Sequence, residues 1–337
     1  MVALHSPRNL PSGESIAFLH RLDGVEGEAE IATTDRGRLR ASSFLDGRER
    51  FWSDKRVVPL HLGGVTTPPA TRFVFHTGFC GSTLLARLLD RPGKVLSLKE
   101  PQCLADIAGQ RAALAAGRGV APIGALIDHA LHALGAAGER ELPIVVKPTN
   151  WANVLLPELC APGRTAAAVF VSMDRRAYVG AVFRGGRDRI AFCSRLAAAL
   201  APVLPAGESL LGEAVAGAGD PLDRAARLTV LLHAMQEALF DRAIAANGWS
   251  SAARIDFAHL AQHPAAVLRR ARQVLGLDIG GEDDTHAFDL MDRHTKDPAS
   301  PFDPGQRLRH DQEIERHHAQ RFDAALDWIA ERADRLA

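Results

Sequence analysis

The residues of this chain with the clearest chemical potential lie in one run, residues 72–90. An apolar stretch of residues 72–76 predicts a buried strand, and two hydroxyl residues, Ser82 and Thr83, open a predicted helix after a turn with two glycines. That order aims free backbone N–H groups and both hydroxyls at one small volume, where the helix dipole adds roughly half a positive charge. The turn and helix start, residues 77–83, are named the glycine loop below. We predict that it binds a phosphate-like anion through Gly78, Phe79, Cys80, Gly81, Ser82 and Thr83.

The glycine loop differs from the loop of the nucleotide triphosphatases, which reads G-x-x-x-x-G-K-[ST]. His76 stands at the first glycine of that motif, and Ser82 stands at its lysine. A plainer alternative is an ordinary strand, turn and helix in which Ser82 caps the helix. That alternative predicts no ligand at all.

The loop is similar to that of the sulfotransferases, in the branch whose loop reads roughly P-R-S-G-[ST]-T-L. Residues 78–84, Gly-Phe-Cys-Gly-Ser-Thr-Leu, lie over this pattern, and the resemblance covers roughly residues 70–335. Further motifs follow in the family's order. A strand ends in an acidic turn at Glu100, and a later strand ends in Lys147. Residues 173–177 lie where the family reads R-D-x-R-A, and residues 257–264 lie where it reads Y-E-D-L-x-x-x-P, followed by Leu-Gly-Leu at 275–277.

The resemblance implies transfer of a sulfuryl group from 3′-phosphoadenosine-5′-phosphosulfate to a hydroxyl of a small molecule, a sugar or a peptide, with no metal. Glu100 occupies the position of the family's proposed general base, and Lys147 that of a lysine that contacts the phosphosulfate. Arg176 matches the second arginine of R-D-x-R, and Arg175 precedes it. If Glu100 is not the base, His76 at the strand end is the next candidate. The alternatives for Glu100 and Lys147 are an acidic residue near a helix start and a solvent-facing lysine at a strand end.

The chain departs from the family at three polar contacts to the sulfuryl donor. Phe79 replaces an arginine or lysine of the loop, and Met173 and Ala181 replace the arginine and serine that hold the nucleotide 3′-phosphate. Charge-assisted hydrogen bonds contribute roughly 1.5–3 kcal/mol each, so other cations have to substitute. If the phosphosulfate is still the donor, at least two of five cations must reach the loop: Lys99, Lys147, Arg175, Arg176 and Arg184.

Two other functions stay open on the sequence. A phosphotransferase or nucleotide hydrolase of the same fold is disfavoured, because the loop lysine is missing and no magnesium-binding carboxylate clearly follows a strand. A nucleotide-binding module that has lost catalysis is compatible with the missing donor contacts. The acceptor and the oligomeric state cannot be read from the sequence, because the shape of a pocket sets specificity.

Composition excludes several classes of partner and cofactor. Lys plus Arg equals Asp plus Glu, 40 against 40, so no global field attracts nucleic acid or a membrane surface. The chain start has neither the basic region nor the apolar run of a signal peptide, and no apolar run approaches about 18 residues. The four cysteines are widely spaced without C-x-x-C, and the histidines lack H-E-x-x-H. We therefore expect a cytoplasmic protein with reduced thiols, no membrane span and no metal site.

The elements that must position these residues fall into two regions. Residues 1–70 alternate short apolar pieces with turn residues, which predicts a small β-rich N-terminal extension whose role the sequence does not indicate. Residues 71–337 are predicted to form a sulfotransferase-like α/β domain with a doubly wound parallel sheet, because their strands are continuous apolar runs. The C-terminal half is predicted to be helical, with a loop at 207–219, an amphipathic helix at 220–246, a last strand at 254–257 and a closing helix at 312–337.

Overall fold

The computed structural model describes residues 13–62, 71–138, 142–279 and 304–337. The strands are β1 Ser15–Asp23, β2 Glu28–Asp35, β3 Asp54–Pro59, β4 Thr71–His76, β5 Leu96–Lys99, β6 Ile144–Lys147, β7 Thr165–Ser172 and β8 Arg254–Asp256. The helices are α1 Arg36–Ala41, α2 Ser82–Leu89, α3 Gln102–Ala115, α4 Ile123–Ala136, α5 Leu156–Leu159, α6 Arg175–Arg184, α7 Gly186–Leu200, α8 Gly207–Ala216, α9 Pro221–Ala246, α10 Phe257–Gln262, α11 Pro264–Val274 and α12 Pro304–Ala330.

The larger sheet is parallel and has the strand order β5-β6-β4-β7-β8. Its central strand β4 carries Phe73, Val74 and Phe75, which have no exposed surface because the sheet is covered on both faces. From β4 the chain first adds β5 and β6 on one side and then β7 and β8 on the other. Ligands of open α/β sheets bind where the strand order reverses, at the carboxyl ends of the strands. The glycine loop lies at that point.

The predicted fold class is confirmed: a five-stranded parallel sheet with helices, a largely helical C-terminal half and a small antiparallel N-terminal sheet. Helix α9 begins at the predicted place, where Asp220 and Asp223 form a capping box around Pro221. The predicted loop at 207–219 is wrong, since residues Gly207–Ala216 form α8 and bury Leu210 and Ala214 one turn apart. The closing helix begins earlier than predicted, at Pro304.

The N-terminal sheet packs on the α/β domain. Strand β1 lies against α3 and α4, and Phe18 and Leu22 are buried in a core continuous with that of the large sheet. Asp106 of α3 accepts hydrogen bonds from the side chain of Arg21 and from the backbone N–H of Leu22. The predicted domain boundary near residue 70 falls in residues 63–70, outside the described part of the chain, and stays a prediction.

Two predicted properties can be compared with the described residues. The four cysteines are buried free thiols. Within the described ranges, no helix combines the length and apolar character needed to cross a membrane.

Candidate active site

The glycine loop makes its turn through three residues with left-handed backbone. Gly78, Phe79 and Gly81 have φ of 97°, 59° and 72°. Gly81 is the N-cap of α2, and a side chain there would overlap the ring of Phe257, so glycine is required. Phe79 adopts a conformation that bulky residues rarely take. The helix then opens with Ser82 and Thr83, both buried, as the sequence predicts.

A buried polar network fixes the start of the loop. The carbonyl oxygen of Thr77 accepts from Nδ2 of Asn150 at 3.1 Å, from the hydroxyl of Tyr178 at 3.2 Å and from Nε2 of Gln236 at 3.2 Å. Asn153 extends the network by donating to Oε1 of Gln236 at 2.8 Å. Sequence reasoning missed these residues, although a glutamine within the apolar stripe of α9 is a recognisable indication of a buried polar contact.

Glu100 lies at the carboxyl edge of the sheet, directly after β5. The register pairs Lys99 with Lys147, so Glu100 comes just beyond the end of β6, and its N–H donates to the carbonyl of Lys147 at 2.6 Å. Its φ is 56°, which is again unusual for a side-chain-bearing residue. The ammonium of Lys147 contacts Oε1 of Glu100, and the guanidinium of Arg48 contacts Oε2 at 2.7 Å. The ammonium is fully buried, whereas the carboxylate keeps 12% of its side chain exposed.

Arg48 joins the N-terminal extension to this carboxylate, a contact that the sequence did not indicate. Asp46 accepts from Nε of Arg48 at 2.6 Å, and the guanidinium lies 3.8 Å from the centroid of the Phe44 ring. These contacts hold Arg48 over Glu100. A residue from outside the predicted α/β domain therefore completes the site.

Lys147 also lies next to the glycine loop, because β6 is the neighbour of β4. Burial raises the pKa of the Cys80 thiol, and the positive charge of Lys147 partly opposes that effect. The Cys80 thiol donates to the carbonyl of Val171 at 3.2 Å. Cys80 is thus a neutral, buried part of the loop, while Lys147 stands between the loop and Glu100.

The other predicted cations lie in different places. Lys99 points away from Glu100, donates to the carbonyl of Arg40 at 2.8 Å, and has a pKa lowered by burial to about 8. Arg176 binds Glu315 and Asp323 of α12, and Arg184 binds Asp311 of the same helix. The Arg175 side chain is half buried, and its Nε has no hydrogen-bond acceptor among the described residues.

The remaining positions from the sequence comparison are buried. Nε2 of His76 lies 3.0 Å from the carbonyl of Pro148, which makes it a donor there. Met173 and Ala181, the two apolar replacements, are packed in the core. No group of three possible metal ligands occurs in the described ranges.

The site therefore combines three chemical parts at one edge of the sheet. The glycine loop offers backbone N–H groups and two hydroxyls at the start of α2. Lys147 is a buried cation beside the loop, and Glu100 is a carboxylate that solvent reaches. Each carboxylate oxygen still has a second lone pair after binding its cation, so Glu100 can accept a further proton or hydrogen bond.

Comparison with known proteins gives a weak match. No family model matches the chain, and no curated protein matches its sequence. A solved structure, a sulfotransferase domain from the curacin biosynthetic pathway, is similar with a TM-score of 0.37 and 13% sequence identity. The match covers 75% of this chain and 99% of that domain. A likeness of this degree assigns no family, so a function has to be argued from the residues of the site.

Proposed function

We propose that this protein is a sulfotransferase-like enzyme that moves a sulfuryl group from 3′-phosphoadenosine-5′-phosphosulfate to a hydroxyl acceptor. The observation that carries the proposal is the position of Glu100 and Lys147. They form a partly buried ion pair at the carboxyl edge of the sheet, and Lys147 lies between Glu100 and the glycine loop. Such an edge is where α/β proteins bind ligands.

The proposed reaction assigns one role to each part of the site. The acceptor oxygen attacks the sulfur, and the bond between sulfur and the bridging phosphate oxygen breaks. Glu100 takes the acceptor proton, while Lys147 and the N–H groups of the glycine loop stabilise the negative charge that develops on the leaving phosphate. If Glu100 is not the base, His76 is the next candidate for that role. The residues proposed to hold the donor are Gly78, Phe79, Cys80, Gly81, Ser82, Thr83, Arg175 and Arg176.

Arg176 would have to exchange partners to take this role. Its present partners, Glu315 and Asp323, are 43% and 58% exposed. Exposed ion pairs contribute about 0–1 kcal/mol, which is less than the roughly 1.5–3 kcal/mol of a charge-assisted hydrogen bond to a phosphate. Releasing these exposed pairs therefore costs little free energy when a phosphate offers an alternative partner.

A second candidate function is a nucleotide-binding module without catalysis. It is favoured by the carboxylates that bind Lys147, Arg176 and Arg184, since these leave fewer free cations for a strongly anionic donor. Both functions predict nucleotide binding. Only the first predicts catalytic transfer of a sulfuryl group to an acceptor.

The test is a binding comparison followed by a transfer assay. We expect adenosine 3′,5′-bisphosphate at about 100 times its dissociation constant to raise the free energy of unfolding by roughly 2.7 kcal/mol. ATP with magnesium should have no such effect. Donor labelled with ³⁵S should then transfer label to at least one of a phenol, a hexose and a tyrosine-containing peptide.

Each outcome selects one function. Stabilisation by the bisphosphate without transfer to any acceptor favours the binding module. Stabilisation by ATP and magnesium alone favours a phosphotransferase or hydrolase. If neither nucleotide stabilises the protein, the proposal is wrong.

A further inference from the structure

Arg189 of α7 is placed against the glycine loop. Its guanidinium carbon lies 4.5 Å from the centroid of the Phe79 ring, and its Nη1 donates to the carbonyl of Ala181 at 2.5 Å. Phe79 and Ala181 are two of the positions at which the sequence lacks an expected polar contact to the sulfuryl donor. One arginine thus contacts both Phe79 and Ala181.

The charge of Arg189 has no carboxylate to balance it within the described residues. Burial is the main influence on its guanidinium and lowers its pKa, and only Cys193 and Tyr178 oppose that effect. Six other arginines of the C-terminal half do form ion pairs with Asp or Glu: Arg176, Arg184, Arg254, Arg321, Arg332 and Arg335.

A half-buried cation without an anion is costly, and here it lies beside a helix start that is itself positive. Contact with the face of Phe79 and the hydrogen bond to the carbonyl of Ala181, in the last turn of α6, offset part of this cost. An anion bound in the glycine loop would balance the charge that remains. The unbalanced positive charge of Arg189 therefore favours binding of an anionic ligand.

We propose that Arg189 supplies the positive charge of the glycine loop and binds the phosphosulfate end of the sulfuryl donor. This inference rests on the proposed function and adds a specific donor-binding residue to it. Phe79 then acts as a platform that positions the guanidinium, in place of the arginine or lysine that the loop lacks.

Gly185 provides an independent way to move Arg189. Its backbone, with φ of −80° and ψ of −1°, is one that alanine adopts readily. However, a Cβ atom at this position would overlap Nε, Cζ and Cδ of Arg189. The substitution Gly185→Ala therefore displaces the guanidinium from Phe79 while leaving the charge in the protein.

The experiment measures the dissociation constant of adenosine 3′,5′-bisphosphate by calorimetry at fixed ionic strength. We expect Arg189→Gln to weaken binding about ten- to a hundredfold, the loss of one charge-assisted contact. Gly185→Ala should weaken it in the same direction. The double variant should bind no more weakly than Arg189→Gln alone, because both changes remove one contact.

Arg195→Gln is the matched control, because Arg195 lies on the same helix and is exposed. It should leave the dissociation constant unchanged, and unfolding without ligand should verify that every variant is folded. If Arg189→Gln does not fold, Gly185→Ala decides the question. Unchanged binding in Arg189→Gln, or an equal loss in Arg195→Gln, overturns the inference but leaves the proposed function standing. No binding by the unmodified protein overturns both.

Discussion

Phe79 and Glu100 are the non-glycine residues with positive φ among the described parts of the chain. Each such conformation costs on the order of 1–3 kcal/mol and persists only where surrounding contacts enforce it. The Glu100 backbone is held by the carbonyl of Lys147, and Phe79 is held between Arg189 and Tyr178. Strain at both ends of one proposed site supports a functional role for that site.

The first prediction at this scale concerns Glu100 as the base. Glu100→Gln keeps the size and one acceptor oxygen but cannot take a proton, so turnover should fall by about 10²–10⁴. Binding of adenosine 3′,5′-bisphosphate should change little. Glu158→Gln is the control, since Glu158 is also part-buried and paired with an arginine, Arg111. Full turnover in Glu100→Gln would move the role of base to another residue.

A second prediction distinguishes the role of Lys147 from that of Glu100. Lys147→Met removes the buried ammonium and keeps its aliphatic stem, while Arg48 still binds the other oxygen of Glu100. Both the affinity for adenosine 3′,5′-bisphosphate and kcat should fall, because this cation is proposed to contact the donor in the ground state and the transition state. A loss of kcat without loss of affinity would show that Lys147 acts only through Glu100.

At the scale of elements, the N-terminal extension forms part of the site as well as part of the core. Leu22 of β1 is buried against the α/β domain, so Leu22→Ala should lower the free energy of unfolding by about 2–5 kcal/mol. Val57→Ala on β3, where 62% of the residue is exposed, should change it by less than about 0.5 kcal/mol. Urea unfolding should remain a single transition in both. An early separate transition in Leu22→Ala would mean that residues 1–70 unfold as an independent domain.

The elements predicted correctly are those with local determinants. The apolar runs of β4 and β6, the glycine loop and the Asp-Pro start of α9 depend on periodicity and capping chemistry within a few residues. Helix α8 was missed because glycine and alanine suggest a loop, whereas burial of Leu210 and Ala214 against the fold stabilises the helix. Local composition cannot report such tertiary burial.

The site was predictable only in part, for the same reason. The ends of adjacent parallel strands meet at one edge, so Glu100 and Lys147 could be expected near the glycine loop. Arg48 and Arg189 come from elements far away in the sequence, and no local pattern links them to Glu100 or Phe79. Only the folded structure brings them together. The Arg48 guanidinium lies 2.7 Å from the carboxylate of Glu100, and the guanidinium carbon of Arg189 lies 4.5 Å from the centroid of the Phe79 ring.

At the scale of the whole molecule, helix α12 connects the end of the chain to the site. Its carboxylates bind Arg176 and Arg184 of α6, and its Arg321 binds Asp220 and Asp223 at the start of α9. These pairs are largely at the surface and therefore weak and salt-dependent. A phosphate that captured Arg176 would release its two pairs with α12, whereas the contact between Phe183 and the buried Phe322 would still hold α12 on α6.

The last prediction concerns stability against acid, which depends on His233 in α9. Its Nε2–H donates to the carbonyl of Met173 at 2.8 Å, and burial lowers its pKa to about 4, below the ordinary 6.5. Between these pH values the unfolded chain binds a proton that the folded protein does not. Stability is therefore lost as pH falls, by about 2 kcal/mol between pH 7.5 and pH 5 from this residue.

Urea unfolding of the unmodified protein and of His233→Gln at both pH values measures this contribution. Glutamine can still donate to Met173 but does not titrate, so the variant should lose about 2 kcal/mol less than the unmodified protein on going to pH 5. His317→Gln on exposed α12 is the matched control and should follow the unmodified protein. Equal acid losses in His233→Gln and the unmodified protein would mean that His233 is not held neutral in the folded protein. The packing of α9 against Met173 and Tyr178 would then be looser than the contacts indicate.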